Sequence, residues 1–196
     1  MRKRSQSAKQ DCAPPRFRLV IPRARIARRV AGLGAEIARA LSPRERPVAV
    51  VVLQGAFVFA ADLLRQLPAR LRLEIAFLRC ESYGPETRSK GRVMLLQDLD
   101  PSLDLHGRTV LLVDDILDTG LTLHFLARRL RARGAARVRI CVVLRRRMGI
   151  RYRSVKPEFV GFDVGPDFLV GYGLDYAGGY RQLPDLMALV PRDDRA

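Results

Sequence analysis

Three stretches of this 196-residue chain are apolar with little or no alternation: "PVAVVVL" (47–53), "TVLLVDD" (109–115) and "ARVRICVVL" (136–144). A strand with one wet face alternates apolar and polar residues. A run without alternation therefore marks a strand covered on both faces, as strands of parallel sheets are. Helical periods lie between these runs. Ile26, Val30, Leu33, Ile37 and Leu41 recur at helical spacing within 23–41. Helices are expected over about 57–67 and over 120–133, the latter ended by Gly134. Strand–helix alternation of this kind builds an α/β domain around a largely parallel sheet.

The remaining segments are less regular. "LRLEIAFL" (71–78) alternates and predicts a strand with one wetter face, and "VMLLQ" predicts another short strand. "ESYGPETRSKGR" (81–92) is rich in polar residues and reads as a long loop, with 84–92 expected to be mobile until a ligand orders it. The stretch from residue 157 onward is Gly- and Tyr-rich with short strands, in which Tyr172 and Tyr176 are expected to pack rather than stack on a ligand. "MRKRSQSAKQDCAPP" is polar, basic and aperiodic, so residues 1–16 are expected to form a disordered tail. A single domain over 17–196 follows, without internal repeats.

Composition narrows the class. Hydrophobic residues make up 48% of the chain, enough for a substantial core; a domain of this size buries about 70% of its unfolded surface. No apolar run approaches the roughly 20 residues of a membrane helix. The basic N-terminus is not followed by an apolar segment, which argues against a secretory signal. Cys12, Cys80 and Cys141 fit neither a disulfide framework nor a zinc site. A reducing cytoplasm is the expected setting, with Cys80 and Cys141 in the core. The formal charge is +16, and residues 128–156 hold 12 basic side chains and no acidic one. Such a segment either attracts polyanions and phosphorylated ligands or is the solvated surface of an Arg-rich chain.

Against this basic background, "VDDILDTGLT" concentrates Asp114, Asp115 and Asp118 at the end of a buried strand. In open parallel sheets ligands bind beyond the carboxyl ends of the strands, so Asp114 and Asp115 are expected to face a crevice. "DTGLT" then turns into a helix, whose first amides and dipole form a nest for an anion. Thr119 and Thr122 add hydroxyls. Asp118 as an ordinary helix N-cap accounts for one aspartate and leaves two unexplained. His106 and His124 read as a loop residue and a helix-face residue.

These residues carry a family resemblance. "VLLVDDILDTGLT" is similar to the phosphoribosyl-pyrophosphate motif of the type I phosphoribosyltransferases. "LQGAFVFAADL" (53–63), "ESYG" (81–84), "KPEFVGFDV" and "DFLVGYGLDYAGGYRQLP" narrow the resemblance to the hypoxanthine-guanine phosphoribosyltransferases, over roughly residues 20–190. The resemblance implies the type I fold: a largely parallel sheet flanked by helices, with a small hood made from the N- and C-terminal segments. It implies purine salvage, the Mg²⁺-dependent transfer of phosphoribosyl from 5-phosphoribosyl 1-pyrophosphate to hypoxanthine or guanine, giving IMP or GMP.

The same resemblance implies the roles. Asp118, Thr119, Gly120, Leu121 and Thr122 cradle the 5′-phosphate, and Asp118 also acts as general base at N7 of the purine. Asp114 and Asp115 accept hydrogen bonds from the ribose hydroxyls and sit near the metal, with Asp175 as a second metal-side carboxylate. Leu53, Gln54, Gly55 and Arg181 hold pyrophosphate, and the Leu53–Gln54 peptide is cis. Ser82 and Tyr83 close over the site. Phe168 stacks on the purine and Leu169 offers backbone groups to its edge. The cation for the purine 6-oxygen is Arg147 on alignment from Lys156, or Arg146 on alignment from the preceding strand; otherwise Arg145, Arg146 and Arg147 are a solvated strand end. The chain departs from the family in reading Asp-Asp for Glu-Asp, Gln54 for a lysine, and Arg for the base-reading lysine. The family implies a homodimer or homotetramer. The alternatives are a regulatory RNA-binding protein on this fold, suggested by the basic segments, and a degenerate paralogue. Membrane association is not expected.

Overall fold

Strand β1 (Phe17–Ile21) leads into helix α1 (Arg23–Ala40), whose buried residues Ile26, Val30, Leu33 and Ile37 follow the helical period of the sequence. The computed structural model describes residues 14–82, 93–146, 149–152 and 154–191. The expected tail up to residue 13, Cys12, Tyr83, the segment 84–92 and Arg147 lie outside the described residues.

Beyond α1 come β2 (Val48–Leu53), α2 (Phe57–Leu64), β3 (Glu74–Ser82), β4 (Val93–Gln97) and β5 (Thr109–Leu117). Helix α3 (Leu121–Ala132), β6 (Arg137–Arg146), β7 (Phe159–Val164), β8 (Leu169–Val170) and β9 (Leu186–Leu189) complete the order. Six strands form one sheet in the order β4-β3-β2-β5-β6-β7, parallel throughout except for β4 at one edge. The non-alternating runs are its centre, and both of their faces are buried. Val51, Leu111 and Val113 pack with α1 and α2, whereas Val50, Val52, Val110 and Leu112 pack with Leu123, Leu126 and Leu130 of α3.

The second sheet is the hood, antiparallel and ordered β1-β9-β8. Ile21, Leu169, Leu186 and Ala188 place its inner face in the same apolar cluster as α1 and α2. No helix among the described residues is long and apolar enough to cross a membrane.

Several boundaries differ from the sequence expectation. Strand β3 begins at Glu74, not at 71, because Leu71 is fully buried in a 3₁₀ turn over Ala69–Leu71 that Arg72 closes in the left-handed region (φ 46°). Helix α2 stops at Leu64 rather than 67. Strand β5 continues past the acidic pair to Leu117, held by pairing of Ile116 with Leu144 and of Leu117 with Arg145. Strand β1 has little amphipathic pattern of its own and is fixed by pairing with β9, far away in sequence.

Candidate active site

A cleft of about 860 Å³ opens at the carboxyl ends of β2 and β5. Most of the residues singled out in the sequence line it: Leu53, Gln54, Gly55, Asp114, Asp115, Asp118, Thr119, Gly120, Leu121, Thr122, Asp175 and Arg181. Strand β5 delivers the acidic pair. Asp115 drops out of the regular pairing with β6. The two carboxylates accept bonds from adjacent backbone amides, Asp114 Oδ1 from the N–H of Asp115 at 3.0 Å and Asp115 Oδ1 from that of Ile116 at 2.7 Å. Neither has an ion-pair partner among the described residues. Burial, then the charge of Asp115, push the Asp114 carboxyl well above the usual carboxylate range, and burial raises Asp115 too. A buried acid beside a half-buried one favours protonation or a positively charged guest, and the charge of Arg181 pulls Asp115 the other way.

The loop after β2 presses against this pair. Its Leu53–Gln54 peptide is cis. A Cβ built on Gly55 would fall 1.6 Å from Asp115 Oδ2, so only glycine lets the loop approach. Across the cleft, a Cβ on Gly173 (φ 101°) would meet the Gly55 carbonyl at 2.2 Å. Backbone thus packs on backbone where the hood loop crosses the β2 loop. Arg181 is fixed beside them: it donates to the Gly173 carbonyl at 2.7 Å and pairs with Asp175 at 2.6 Å. The other Asp175 oxygen accepts from the Gly178 amide.

The turn into α3 corrects one expectation. Asp118 does not cap the helix. The N-cap is Gly120 (φ 84°), without a side-chain cap, and the Leu121 amide donates to Thr119 Oγ1 at 3.3 Å. Because Gly120 takes the left-handed conformation, the chain turns after Asp118 and leaves its carboxylate 58% exposed at the cleft, 3.7 Å from Arg146 Nε. The first residues of α3, Leu121, Thr122 and Leu123, line the cleft.

Purine-side residues are placed differently. Leu169 is buried in β8, and Phe168 stands outside the cleft lining, 52% exposed, with its ring edge-to-face with Tyr176 at 6.0 Å. The Arg146 fork is engaged by the carbonyls of Gly165 and Asp167 just before Phe168. Tyr172 packs in the core and donates to Asp62 at 2.9 Å.

Sequence reasoning missed Cys80, Glu81, Arg151 and Tyr152, all of which line the cleft. Cys141 is core, but Cys80 is only half-buried. Burial, followed by the charges of Asp114, Asp115 and Glu81, pushes its thiol up to about 12, so it is neutral. Arg151 and Tyr152 were hidden because no periodicity or motif marks their loop.

Five arginines of the basic segment 128–156 bond to other parts of the same chain. Arg129 pairs with Asp98, Arg137 with Glu45, Arg139 with Glu158 and Arg145 with Asp163. Arg133 donates to the carbonyls of Asp100 and Leu103. These five guanidiniums stitch elements of the same chain together.

Residues 22–177 match the family model of the phosphoribosyl transferase domain. A hypoxanthine-guanine phosphoribosyltransferase of Bacillus subtilis is 40% identical over 174 residues, 89% of this chain and 93% of its own. One from Mycobacterium bovis is 44% identical over 143 residues, 73% of this chain and 68% of its own. The crystal structure of a hypoxanthine-guanine phosphoribosyltransferase from Bacillus anthracis superposes with a TM-score of 0.81 at 34% identity, covering 90% of this chain and 100% of that one. With the type I architecture and the paired acids of β5 in place, the chain belongs to the hypoxanthine-guanine phosphoribosyltransferases.

Proposed function

We propose that this chain salvages purines by transferring phosphoribosyl from 5-phosphoribosyl 1-pyrophosphate to hypoxanthine or guanine, with IMP or GMP and pyrophosphate as products. The observation that carries this reading is convergence: the acidic pair, the turn into α3, the loop after β2 and the Arg181–Asp175 pair line one cleft.

The chemistry assigns the parts. The donor develops cationic character at C1 as pyrophosphate leaves. Asp114 and Asp115 accept hydrogen bonds from the ribose hydroxyls and offer negative charge beneath that carbon. Residues 119–122 hold the 5′-phosphate. The backbone of 53–55 and Arg181 hold the departing pyrophosphate. Asp118 takes the proton from N7 as N9 forms the new bond, and the exposure of its carboxylate suits that task. Phe168 stacks on the purine and Leu169 reads its edge. With the Arg146 fork held by two carbonyls, the purine 6-oxygen falls to Arg147. Ser82 and Tyr83 close the site against water.

The donor set also fits Mg²⁺. Among the described residues no cluster of three or more His, Cys, Asp or Glu could hold a metal by itself. Mg²⁺ is commonly bound through one or two carboxylates plus substrate phosphates, and Asp114, Asp115 and Asp175 are such carboxylates. When bound, the ion neutralises charge on pyrophosphate.

A second copy of the chain completes the assembly. Phe57, Ile75, Phe77, Met94 and Leu96 are large apolar side chains left exposed on α2, β3 and the edge strand β4, and together they suit a homodimer face. Sedimentation of Phe77→Glu against the parent chain tests this; an unchanged oligomer counts against that face. The free thiols Cys80 and Cys141 suit a reducing cytoplasm.

The deciding experiment measures pyrophosphate release with Mg²⁺, the ribosyl donor and each of hypoxanthine, guanine, xanthine and adenine. Release with hypoxanthine or guanine supports the proposal. No release with any base overturns it.

A further inference from the structure

The turn that holds the 5′-phosphate has no cation of its own. From Asp114 to Leu123 the sequence contains neither lysine nor arginine. Its donors are backbone amides and two threonine hydroxyls, and the end of a helix supplies only about half a positive charge. The surrounding cleft is acidic, lined by Glu81, Asp114, Asp115, Asp118 and Asp175. A dianionic phosphomonoester entering there needs a compensating cation.

Two cations line the cleft among the described residues, Arg181 and Arg151. Arg181 is engaged by Asp175 and the Gly173 carbonyl, on the hood side. Arg151 differs in both respects. Its side chain is exposed and has no partner among the described residues, and its backbone is fastened to the phosphate turn itself. The amides of Arg151 and Tyr152 both donate to the Thr119 carbonyl, at 3.0 and 3.1 Å. Tyr152 lies against Gly120, where a Cβ would come within 3.3 Å of it, and its ring stacks on His124 of α3 at 5.1 Å. Ser154 Oγ bonds to His124 Nδ1 at 3.2 Å, and Val155 is buried in the α3 cluster. The loop is therefore docked onto the turn and onto α3 by the backbone of Arg151 and by Tyr152, Ser154 and Val155.

We infer that Arg151 is the cation that recognises the 5′-phosphate, making this site select nucleotides over nucleosides. The inference rests on the catalytic reading above and adds to it a residue from outside the motif. A guanidinium held at the rim can give a phosphate two parallel charge-assisted hydrogen bonds. The turn's amides position the same group, and Arg151 supplies the charge they lack.

The test compares IMP with inosine, which differ only by the phosphate, by calorimetric titration of the parent chain, Arg151→Ala and Arg151→Lys. Arg151→Ala is expected to weaken IMP by roughly 10- to 100-fold, the usual range for a hydrogen bond to a charged group, while leaving inosine unchanged. Arg151→Lys should recover most of the loss as a point charge. The dependence of IMP affinity on salt should flatten in Arg151→Ala. Thermal melting of each variant separates lost recognition from lost fold. Equal weakening of IMP and inosine, or no weakening of IMP in a folded Arg151→Ala, overturns the inference. A parent chain that binds IMP no more tightly than inosine overturns the catalytic reading, and this inference falls with it.

Discussion

The rim of β6 and β7 and the end of β5 handle charge in opposite ways. On the rim, carboxylates face guanidiniums: Arg139 pairs with Glu158 at 3.0 Å, and Arg145 grips Asp163 through two nitrogens at 2.7 and 3.1 Å. At the end of β5, buried Asp114 and half-buried Asp115 sit side by side against the loop that carries Gly55, without an ion-pair partner among the described residues. A +16 chain rich in arginine had cations to place there, and none of the described ones pairs with these two acids. Local rules broken in this way mark sites where the missing partner is a ligand. The rim is built for the folded chain alone, and the β5 end is built for the folded chain with its substrate.

The largest expected effect concerns Asp118, whose carboxylate is exposed at the cleft. Asp118→Asn keeps the shape of the turn but cannot take a proton. It should lower kcat by about 10²–10⁴-fold while the KM for the ribosyl donor moves only a few-fold. Near-normal kcat with hypoxanthine, together with lost donor affinity, would make Asp118 a phosphate-turn residue and nothing more.

Gly55→Ala comes next. The new methyl has no room beside Asp115, so the loop or the carboxylate must move. Overpacking of this kind typically costs about 1–3 kcal/mol, and kcat/KM should fall by at least tenfold because both displaced groups belong to the site. A variant that melts and turns over like its parent would show that the loop has slack.

Asp114→Asn sharpens the comparison from the other side. Removing the buried acid of the pair relieves desolvation and repulsion, so the variant should be more stable than the parent at neutral pH even as activity drops. A gain of about 1 kcal/mol raises Tm by roughly 2–4 °C in a chain of this size. The raised pKa sets the sign. Burial lifts the Asp114 carboxyl in the folded chain above its unfolded value near 4, so the parent loses stability as pH rises above about 4. The gap between the variant's Tm and the parent's should therefore widen between pH 5 and pH 8. A narrowing gap, measured by calorimetry without Mg²⁺, would mean that the pair carries its charge without cost.

The smallest effect belongs to the rim. Arg145 and Asp163 are each about a third exposed, so Arg145→Ala should cost under about 1 kcal/mol in denaturant melts and leave kcat unchanged. A loss of several kcal/mol would remove the contrast between the two regions.

Much of the fold was legible in the sequence because the signals were local. The runs at 47–53, 109–115 and 136–144 could be strands covered on both faces and little else, and all three are central strands. The helix over 23–41 followed from five apolar positions and is present. The motif 114–122 carried the cleft because strand, turn and helix start are contiguous. What stayed hidden was non-local or unpatterned. Strand β1 exists through its pairing with β9, and Cys80 reaches the cleft because β3 runs past its expected end.

The sequence by itself determined the layer architecture, the family and the acids, since hydrophobic period and contiguous motifs survive without a partner segment. Tertiary structure alone decided which charges are paired and which wait. Nothing in the linear order of the arginines between 128 and 156 separates Arg145, held by an acid on β7, from Arg151, fastened to the phosphate turn with its side chain open to the cleft. Pairing depends on distances across elements, and a basic run in sequence fixes how many cations there are but not what each of them faces.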